Sequence, residues 1–187
     1  GDDPQQLVQP ETTWRLIAPW IRPEQAEIER SAIYTFHSVV ARTWRRGHVL
    51  LAGDAAHQTP PFLGQGLCAA IRDVANLAWK LDAVLHGRAD ESLLDSYGSE
   101  RAPHVFAFID LAVKLGDIIQ TTDPQQAAER DRRFQSGQPE IFEFPSPRLG
   151  PGLCSDGGIP VGQPFPQPVL SDGRWLDEHT GHRFGVI

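Results

Sequence analysis

The fold of this chain is decided by one stretch, Gly53-Asp54-Ala55-Ala56-His57, followed by Pro60-Pro61-Phe62-Leu63-Gly64-Gln65-Gly66. An apolar run at 48–52 precedes it and predicts a buried strand, and an amphipathic helix is predicted from Gly64 onward. A strand that ends in a tight loop before a helix places bare backbone N–H groups beside the end of the strand. This arrangement predicts a cradle for an anionic or carbonyl-rich ligand.

Composition limits the class of protein. The 187 residues are 40% hydrophobic and carry a formal net charge of −7. The acidic balance argues against nucleic-acid binding, which needs clustered Lys and Arg, and no apolar run approaches the roughly twenty residues of a membrane span. The two cysteines, Cys68 and Cys154, suggest no disulfide framework, so we expect a cytoplasmic location.

The two ends of the chain both look cut. The sequence contains no methionine and stops within an apolar stretch at 184–187, so we expect a piece of a longer protein. Pro and Gly recur after residue 137, which predicts an extended linker. We therefore expect a first domain at 1–136, a linker at 137–168 and the start of a truncated domain at 169–187.

Local signals predict the elements. Strands are expected at 33–40 and 48–52, joined through a turn at Arg45-Arg46-Gly47 in a hairpin or a sheet edge. A turn is expected at Ser171-Asp172-Gly173 and another at 156–157, before a truncated strand at the end. The predicted helices are a short one at 13–21, a long one from Gly64 that ends at His86-Gly87, one capped by Asp90 that Pro103 should kink or break, and one that starts at Thr122-Asp123-Pro124 and runs to about Phe134.

The loop between strand and helix carries the candidate binding residues. Asp54 can accept hydrogen bonds from ribose or sugar-alcohol hydroxyls, although capping the next turn is an equal alternative. Pro60-Pro61 forms a stiff lip, and Gly64-Gln65-Gly66 lets the backbone approach a flat ring closely. The amides of Gly66 and Leu67 carry a positive partial charge that would favour a reduced, anionic flavin. A flavin is therefore the ligand that these features favour.

Other reactive side chains are weaker candidates. His57 could act as an acid or base, but we expect a structural role, bonded to backbone beneath the loop. Cys68 could be an activated thiol, but a small buried filler is the preferred interpretation. Two pairs have a spacing that suits a metal, although neither has an evident third ligand: Glu100 with His104, and His179 with His182.

The whole pattern resembles the second FAD-binding motif of the class A flavoprotein aromatic hydroxylases. The resemblance rests on the opening stretch and on Arg72-Asp73 and Asn76-Leu77-Ala78-Trp79-Lys80-Leu81. It continues through Leu93-Leu94-Asp95-Ser96-Tyr97 and Glu100-Arg101-Ala102-Pro103. Tyr34-Thr35-Phe36-His37 and Ala41-Arg42-Thr43-Trp44, with the Pro/Gly-rich tail, are most similar to the 3-(3-hydroxyphenyl)propionate hydroxylase branch.

The resemblance implies a fold and a reaction. The fold class is α/β, a helix-rich fragment: the C-terminal part of a Rossmann-like FAD-binding domain with two or three long helices, then a linker into a truncated thioredoxin-like unit. The reaction is NAD(P)H-dependent hydroxylation of a phenolic acid by oxygen, through a flavin C4a-hydroperoxide. Asp54 would hold the ribityl chain, Pro61 would lie near C4a, and the isoalloxazine would contact Gly64, Gln65, Gly66 and Leu67, with Gly53 opening the motif.

Departures from the family pattern leave alternatives open. Cys68 stands where many relatives have Asn, Ala70 where many have Gly, and Val74 where Ala is usual. The G-x-G-x-x-G fingerprint is missing, so we expect the chain alone to be inactive and to bind FAD weakly or not at all. The alternatives are a helical interaction module that forms a homodimer, and an FAD-dependent reductase or epoxidase of the same superfamily.

Overall fold

A computed structural model of the protein describes residues 3–137, 143–153 and 161–181. The chain divides into two compact units, Gly1–His37 and Ser38–Ile187. In the first unit, helix α1 spans Pro4–Leu7 and helix α2 spans Pro10–Ile17. The predicted helix at 13–21 is thus shifted, because a proline at the first helical position already has the required φ and needs no N–H partner.

The strands of the second unit are short. Strands β1 (Val39–Val40) and β4 (His57–Gln58) pair antiparallel, as do β2 (Arg45–Arg46) and β3 (Val49–Leu50). The turn predicted at Gly47 is present, with a φ of +60°, but the hairpin that it closes joins 45–46 to 49–50. The two predicted strands do not pair with each other, because 39–40 pairs with 57–58 in a separate sheet.

The predicted extents of the strands at 33–40 and 48–52 are wrong. Only residues 39–40 and 49–50 pair, and Val49 is 64% exposed, so β3 is not a buried strand. A β-branched sequence extends a strand only as far as a neighbouring strand supplies hydrogen bonds. In each of the two sheets of the described chain, that neighbour is only two residues long.

Helices dominate the second unit. The stop at His86-Gly87 is confirmed, and Asp123 caps its helix through Gln125 and Gln126 as predicted. Asp90 accepts a hydrogen bond from the Ser92 amide (2.8 Å) and opens a short 3₁₀ helix, Glu91–Asp95. The α-helices are α3 (Gly66–Leu85), α4 (Ser96–Ile119), α5 (Pro124–Gln135) and α6 (Leu176–Thr180).

The break expected at Pro103 does not occur, because α4 continues through it. Proline deprives the Ser99 carbonyl of its usual helical donor, which normally costs about 3 kcal/mol. Arg101 and His104, on either side of Pro103, are buried against the rest of the unit. Tertiary packing of this helix therefore outweighs the local penalty.

The core lies between α3, α4 and the hairpin. Tyr97 is fully buried and donates a hydrogen bond from its hydroxyl to the Leu51 carbonyl (3.0 Å). The Trp44 ring lies edge-on to Tyr97, with 5.4 Å between ring centroids. The buried cluster contains Trp44, Ala56, Ala69, Leu77, Leu94, Tyr97, Val105 and Ile109.

The apolar stripe predicted on α3 faces this core only in part: Leu77 belongs to the buried cluster and Leu81 and Val84 pack against it, but the residues nearer the start of the helix do not. Leu67, Ile71 and Val74 are 73%, 59% and 57% exposed, whereas the polar residues Asp73 and Lys80 are fully buried. The helix was predicted correctly, but its buried face is only partly the predicted one. The reason lies in the partners of those polar side chains, described below.

The C-terminal part has little regular structure where it is described. Residues 143–153 and 161–168 contain neither helix nor strand. The turn predicted at 171–173 is present, closed by a hydrogen bond from the Gly173 amide to the Leu170 carbonyl (2.9 Å). Helix α6, which follows, was not predicted. The features expected at 156–157, at 184–187, at Cys154 and at His182 lie outside the described residues.

None of the helices in the described ranges is long and apolar enough to span a membrane. The helix-rich character of the predicted fold class is confirmed, since two long helices and α5 make up most of the second unit's regular structure.

Candidate functional site

The Gly-Asp pair forms a tight turn against α3. Residues Gly53–Ala55 make one 3₁₀ turn, closed by a hydrogen bond from the Ala56 amide to the Gly53 carbonyl (2.8 Å). Gly53 has a φ of +56°, and a side chain there would bring its Cβ to 3.1 Å from the Cβ of Ala70. Position 53 therefore requires glycine for two reasons: its positive φ and its close approach to α3.

Asp54 lies on the exposed side of the same turn. No hydrogen bond joins its side chain to any residue in the described parts of the chain, so the cap that was the alternative to ligand binding is not formed there. The turn thus buries its glycine and presents a carboxylate to solvent.

The loop before α3 leaves the helix N-terminus open. Pro61–Leu63 form a second 3₁₀ turn, closed by a hydrogen bond from the Gly64 amide to the Pro61 carbonyl (3.0 Å). Gly64 has a φ of +61°, and Gln65 gives α3 no side-chain cap. The first amides of α3 accordingly have no partner within the helix and carry its positive partial charge.

Two further predicted residues flank this helix start. Gly66 is the first residue of α3, and a Cβ on it would lie 3.8 Å from the Thr59 hydroxyl. Leu67 follows with its side chain largely exposed. Since the Gly53 turn packs on Ala70, the structure brings the Gly-Asp turn and the first two turns of α3 together.

A buried carboxylate lies directly beneath this region. Asp73 of α3 accepts hydrogen bonds from the Gly53 amide (3.1 Å), from His57 Nε2 (2.7 Å) and from Arg101 Nε (2.9 Å). Burial raises the pKa of Asp73, but the hydrogen bonds from His57, Arg101 and Gly53 together lower it below its usual value. Asp73 therefore stays ionised at neutral pH.

His57 has a structural position, but its partner differs from the expected one. Its ring is 1% exposed and bonds to the Asp73 carboxylate, not to backbone. The Trp44 ring stacks on it with a centroid distance of 5.5 Å. Cys68, expected to be a small buried filler, is partly buried.

A second buried carboxylate lies on the facing helix. Glu100 Oε2 accepts hydrogen bonds from Lys80 Nζ (2.6 Å) and Asn76 Nδ2 (2.7 Å), and its Oε1 accepts one from the Leu153 amide (3.1 Å). These bonds lower the pKa of Glu100 against the upward effect of burial. Its oxygens are thus committed to protein donors.

His104 lies in a cationic environment. Burial lowers its pKa from 6.5 to about 4, and the charges of Arg101 and Arg72 add to that effect. Its ring is edge-on to Phe108, and its Nε2 atom has no hydrogen-bond partner among the described residues. Of the other pair with metal-like spacing, His182 lies outside the described residues, and His179 Nε2 lies 2.9 Å from Asp172 Oδ2. In the described ranges, no group of three His, Cys, Asp or Glu could hold a metal.

Sequence reasoning missed the four charged residues of this interior, Asp73, Lys80, Glu100 and Arg101. Each belongs to a segment quoted for the family resemblance, but none was given a structural role, and Glu100 was considered only as a metal ligand. One signal was available: Asp73 and Lys80 are seven residues apart, which places two opposite charges on one helical face. The adjacent residues Glu100 and Arg101 on α4 carry the opposite charges that pair with Lys80 and Asp73, respectively.

The fold and this site define an FAD-binding domain. Residues 12–112, more than half of the chain, match the family model described as "FAD binding domain". The chain therefore belongs to the FAD-binding domain family, and the resemblance to flavoprotein aromatic hydroxylases is confirmed by the relatives that follow.

Named relatives are aromatic hydroxylases. The probable NADH-specific resorcinol 4-hydroxylase of Rhodococcus jostii (strain RHA1) is 43% identical over 98% of this chain and 35% of its own length. The 3-(3-hydroxy-phenyl)propionate/3-hydroxycinnamic acid hydroxylase of Mycolicibacterium vanbaalenii (strain DSM 7251) is 50% identical over 88% of this chain and 32% of its own. The chain thus spans about a third of the length of the curated relatives that it matches.

A solved structure agrees with this assignment. Aklavinone-11 hydroxylase, crystallised with FAD and aklavinone, superposes with a TM-score of 0.54 and 34% identity, over 63% of this chain and 22% of that one.

Proposed function

We propose that this chain supplies part of the FAD site in an NAD(P)H-dependent flavoprotein aromatic hydroxylase. The observation that carries the proposal is the juxtaposition of an exposed, unpaired Asp54 carboxylate and the uncapped N-terminus of α3, within a member of the FAD-binding domain family. A hydroxyl-rich chain and a flat, electron-accepting ring are the two parts of FAD that suit these two groups.

Each predicted residue has a role in this proposal. Asp54 accepts hydrogen bonds from the ribityl hydroxyls, and Gly53 contributes through its backbone conformation, since its amide is bonded to Asp73. Pro61 lies near the reactive edge of the flavin. The residues that line the isoalloxazine ring are Gly64, Gln65, Gly66 and Leu67.

Bound FAD would supply the redox chemistry for the NAD(P)H-dependent hydroxylation of a phenolic ring by oxygen. The protein's share is to orient the ring, exclude water and favour the anionic reduced flavin through the α3 amides. A phenolic acid is the proposed substrate class, because the names of the curated relatives describe phenols.

The proposed domain division remains 1–136, 137–168 and a thioredoxin-like unit from 169.

The test is FAD binding by the protein that carries this chain. Replacement Asp54→Ala should weaken FAD affinity by about tenfold or more, the usual effect of losing hydrogen bonds to a charged acceptor. Asp117→Ala is the matched control, because Asp117 is also exposed, and its carbonyl, not its carboxylate, accepts the Thr121 hydroxyl. An unmodified protein that purifies colourless and takes up no FAD would overturn the proposal.

A second function is favoured by one observation, the exposed apolar face of α3 formed by Leu67, Ile71 and Val74. Such a face is typical of an interaction surface, and an interaction module would self-associate through it. Sedimentation velocity at micromolar concentration separates the two functions. A dimer that Ile71→Glu dissociates, in a protein without flavin, would favour the interaction module.

A further inference from the structure

The buried carboxylate beneath the Gly-Asp turn has no assigned role. We propose that Asp73 is a positioning residue for FAD: it fixes the main chain of the Gly53–Asp54 turn, while His57 and Arg101 fix Asp73. This inference rests on the proposed function, since it concerns how Asp54 is held toward the cofactor.

The first argument is geometric. Asp73 is completely buried and its two oxygens reach three separate parts of the unit. Oδ2 accepts from the Gly53 amide in the turn and from His57 in β4, and Oδ1 accepts from Arg101 in α4. One side chain thus ties the turn to the helix pair.

The second argument concerns which atom of the turn is held. The bond is made at the backbone amide of Gly53, immediately before Asp54, and the Ala56 amide bonds to the Gly53 carbonyl on the other side. The main chain is therefore fixed on both sides of Gly53, whereas the Asp54 side chain is left exposed. Bonds to the main chain position Asp54 and leave both of its carboxylate oxygens available to accept hydrogen bonds from a ligand.

The third argument is electrostatic. Three donors converge on Asp73, so the ionised carboxylate satisfies all of them and its pKa is lowered accordingly. His57 must carry a proton on Nε2 to donate to the Asp73 carboxylate. Its other ring nitrogen, Nδ1, has no hydrogen-bond partner among the described residues. A carboxamide would turn its NH₂ group either toward Arg101 or toward Gly53 and His57, so at least one of the three bonds would be lost.

The test compares Asp73→Asn with Glu100→Gln in the flavin-binding protein that carries this chain. Both changes convert a buried, hydrogen-bonded carboxylate of the α3–α4 interface into an amide, but Glu100 makes no contact with the turn. We expect Asp73→Asn to raise the Kd for FAD by about tenfold to a hundredfold and to alter the flavin absorbance envelope. Glu100→Gln should lower the thermal midpoint of the apoprotein while leaving the Kd within about twofold.

Two outcomes overturn the inference. One is an equal loss of FAD affinity in both variants when their thermal midpoints fall equally, since Asp73 would then act only through overall stability. The other is a structure of the unmodified protein with FAD in which the Gly53 amide has left Asp73; this measurement also serves if Asp73→Asn does not fold. If the unmodified protein binds no FAD, the proposed function itself fails, and the two failures are thereby distinguished.

Discussion

Lys80 of α3 and Glu100 of α4 form an ion pair with 2.6 Å between Nζ and Oε2, and neither side chain is more than 5% exposed. Lys80 also donates to the Ser96 hydroxyl (2.6 Å), and Asn76 donates to the same oxygen of Glu100. The two long helices are therefore joined by a buried polar network, in which every charge has an opposite charge in contact.

Removing one partner of this pair should be costly. We expect Lys80→Met to lower the free energy of unfolding by about 3 kcal/mol, because it leaves the Glu100 carboxylate buried without its counter-charge. Urea denaturation of the protein checks this value. The double variant Lys80→Met/Glu100→Leu should recover most of the loss, since an apolar pair of similar size carries no desolvation cost. Additive losses in the double variant would contradict the network.

The buried histidine should make stability depend on pH. His104 has a pKa of about 4 in the folded protein and 6.5 when unperturbed. As the pH falls from 6.5 toward 4, the unfolded chain takes up this proton and the folded chain does not, so the folded state loses stability. The difference between the two pKa values corresponds to roughly 3 kcal/mol.

The variant His104→Leu should flatten the pH dependence of the unfolding free energy between pH 6.5 and 4.5. His37→Asn is the control, because His37 is exposed and should leave the slope unchanged. An unaltered slope in His104→Leu would show that this histidine is not the group that titrates.

A glycine in α4 is required by an aromatic ring in the loop before α3. A Cβ on Gly116 would lie 2.5 Å from Cε2 of Phe62, which is in the turn that contains Pro61. Alanine normally stabilises a helix by about 1 kcal/mol relative to glycine. Gly116→Ala should nevertheless destabilise the protein by about 1–3 kcal/mol through overpacking. The double variant with Phe62→Leu should be more stable than Gly116→Ala alone, as measured by thermal unfolding.

A second close approach docks the C-terminal segment onto α4. The Gly150 amide donates to the Glu100 carbonyl (2.7 Å), and a Cβ on Gly150 would lie 2.7 Å from Pro103 Cγ and against the Ser99 carbonyl oxygen. We expect Gly150→Ala to release this segment and to accelerate trypsin cleavage after Arg148 several-fold. Ser146→Ala, at an exposed position nearby, should leave the cleavage rate unchanged. Equal rates in both variants would rule out docking at Gly150.

Local rules predicted some of the helix ends, but not those of α2 or the start of α4. The Asp123 cap, the stop at His86-Gly87 and the turn at Gly47 depend on contacts within a few residues, so the local sequence contains the necessary information. The break expected at Pro103 failed for the converse reason, because the packing that keeps α4 continuous comes from distant residues.

Hydrophobic periodicity predicted only part of the buried face of α3, namely Leu77 and the residues that pack with it. Leu67 and Ile71 follow the apolar pattern but are exposed, whereas Asp73 and Lys80 break it and are buried. Burial of a charged residue depends on an opposite charge at the same place. Here those partners, Arg101 and Glu100, come 28 and 20 residues later.

The sequence by itself determined the family and the set of residues proposed to meet the cofactor, because a strand, a Gly-Asp turn and a glycine-bounded helix start form a local pattern. Only the tertiary structure decided how Asp54 and Asp73 differ in their hydrogen bonding. Within the described residues the Asp54 side chain is exposed and makes no hydrogen bond, whereas Asp73 is bound by the protein, because Gly53, His57 and Arg101 converge on its carboxylate. That convergence is a property of packing, which brings together groups that are distant in the chain.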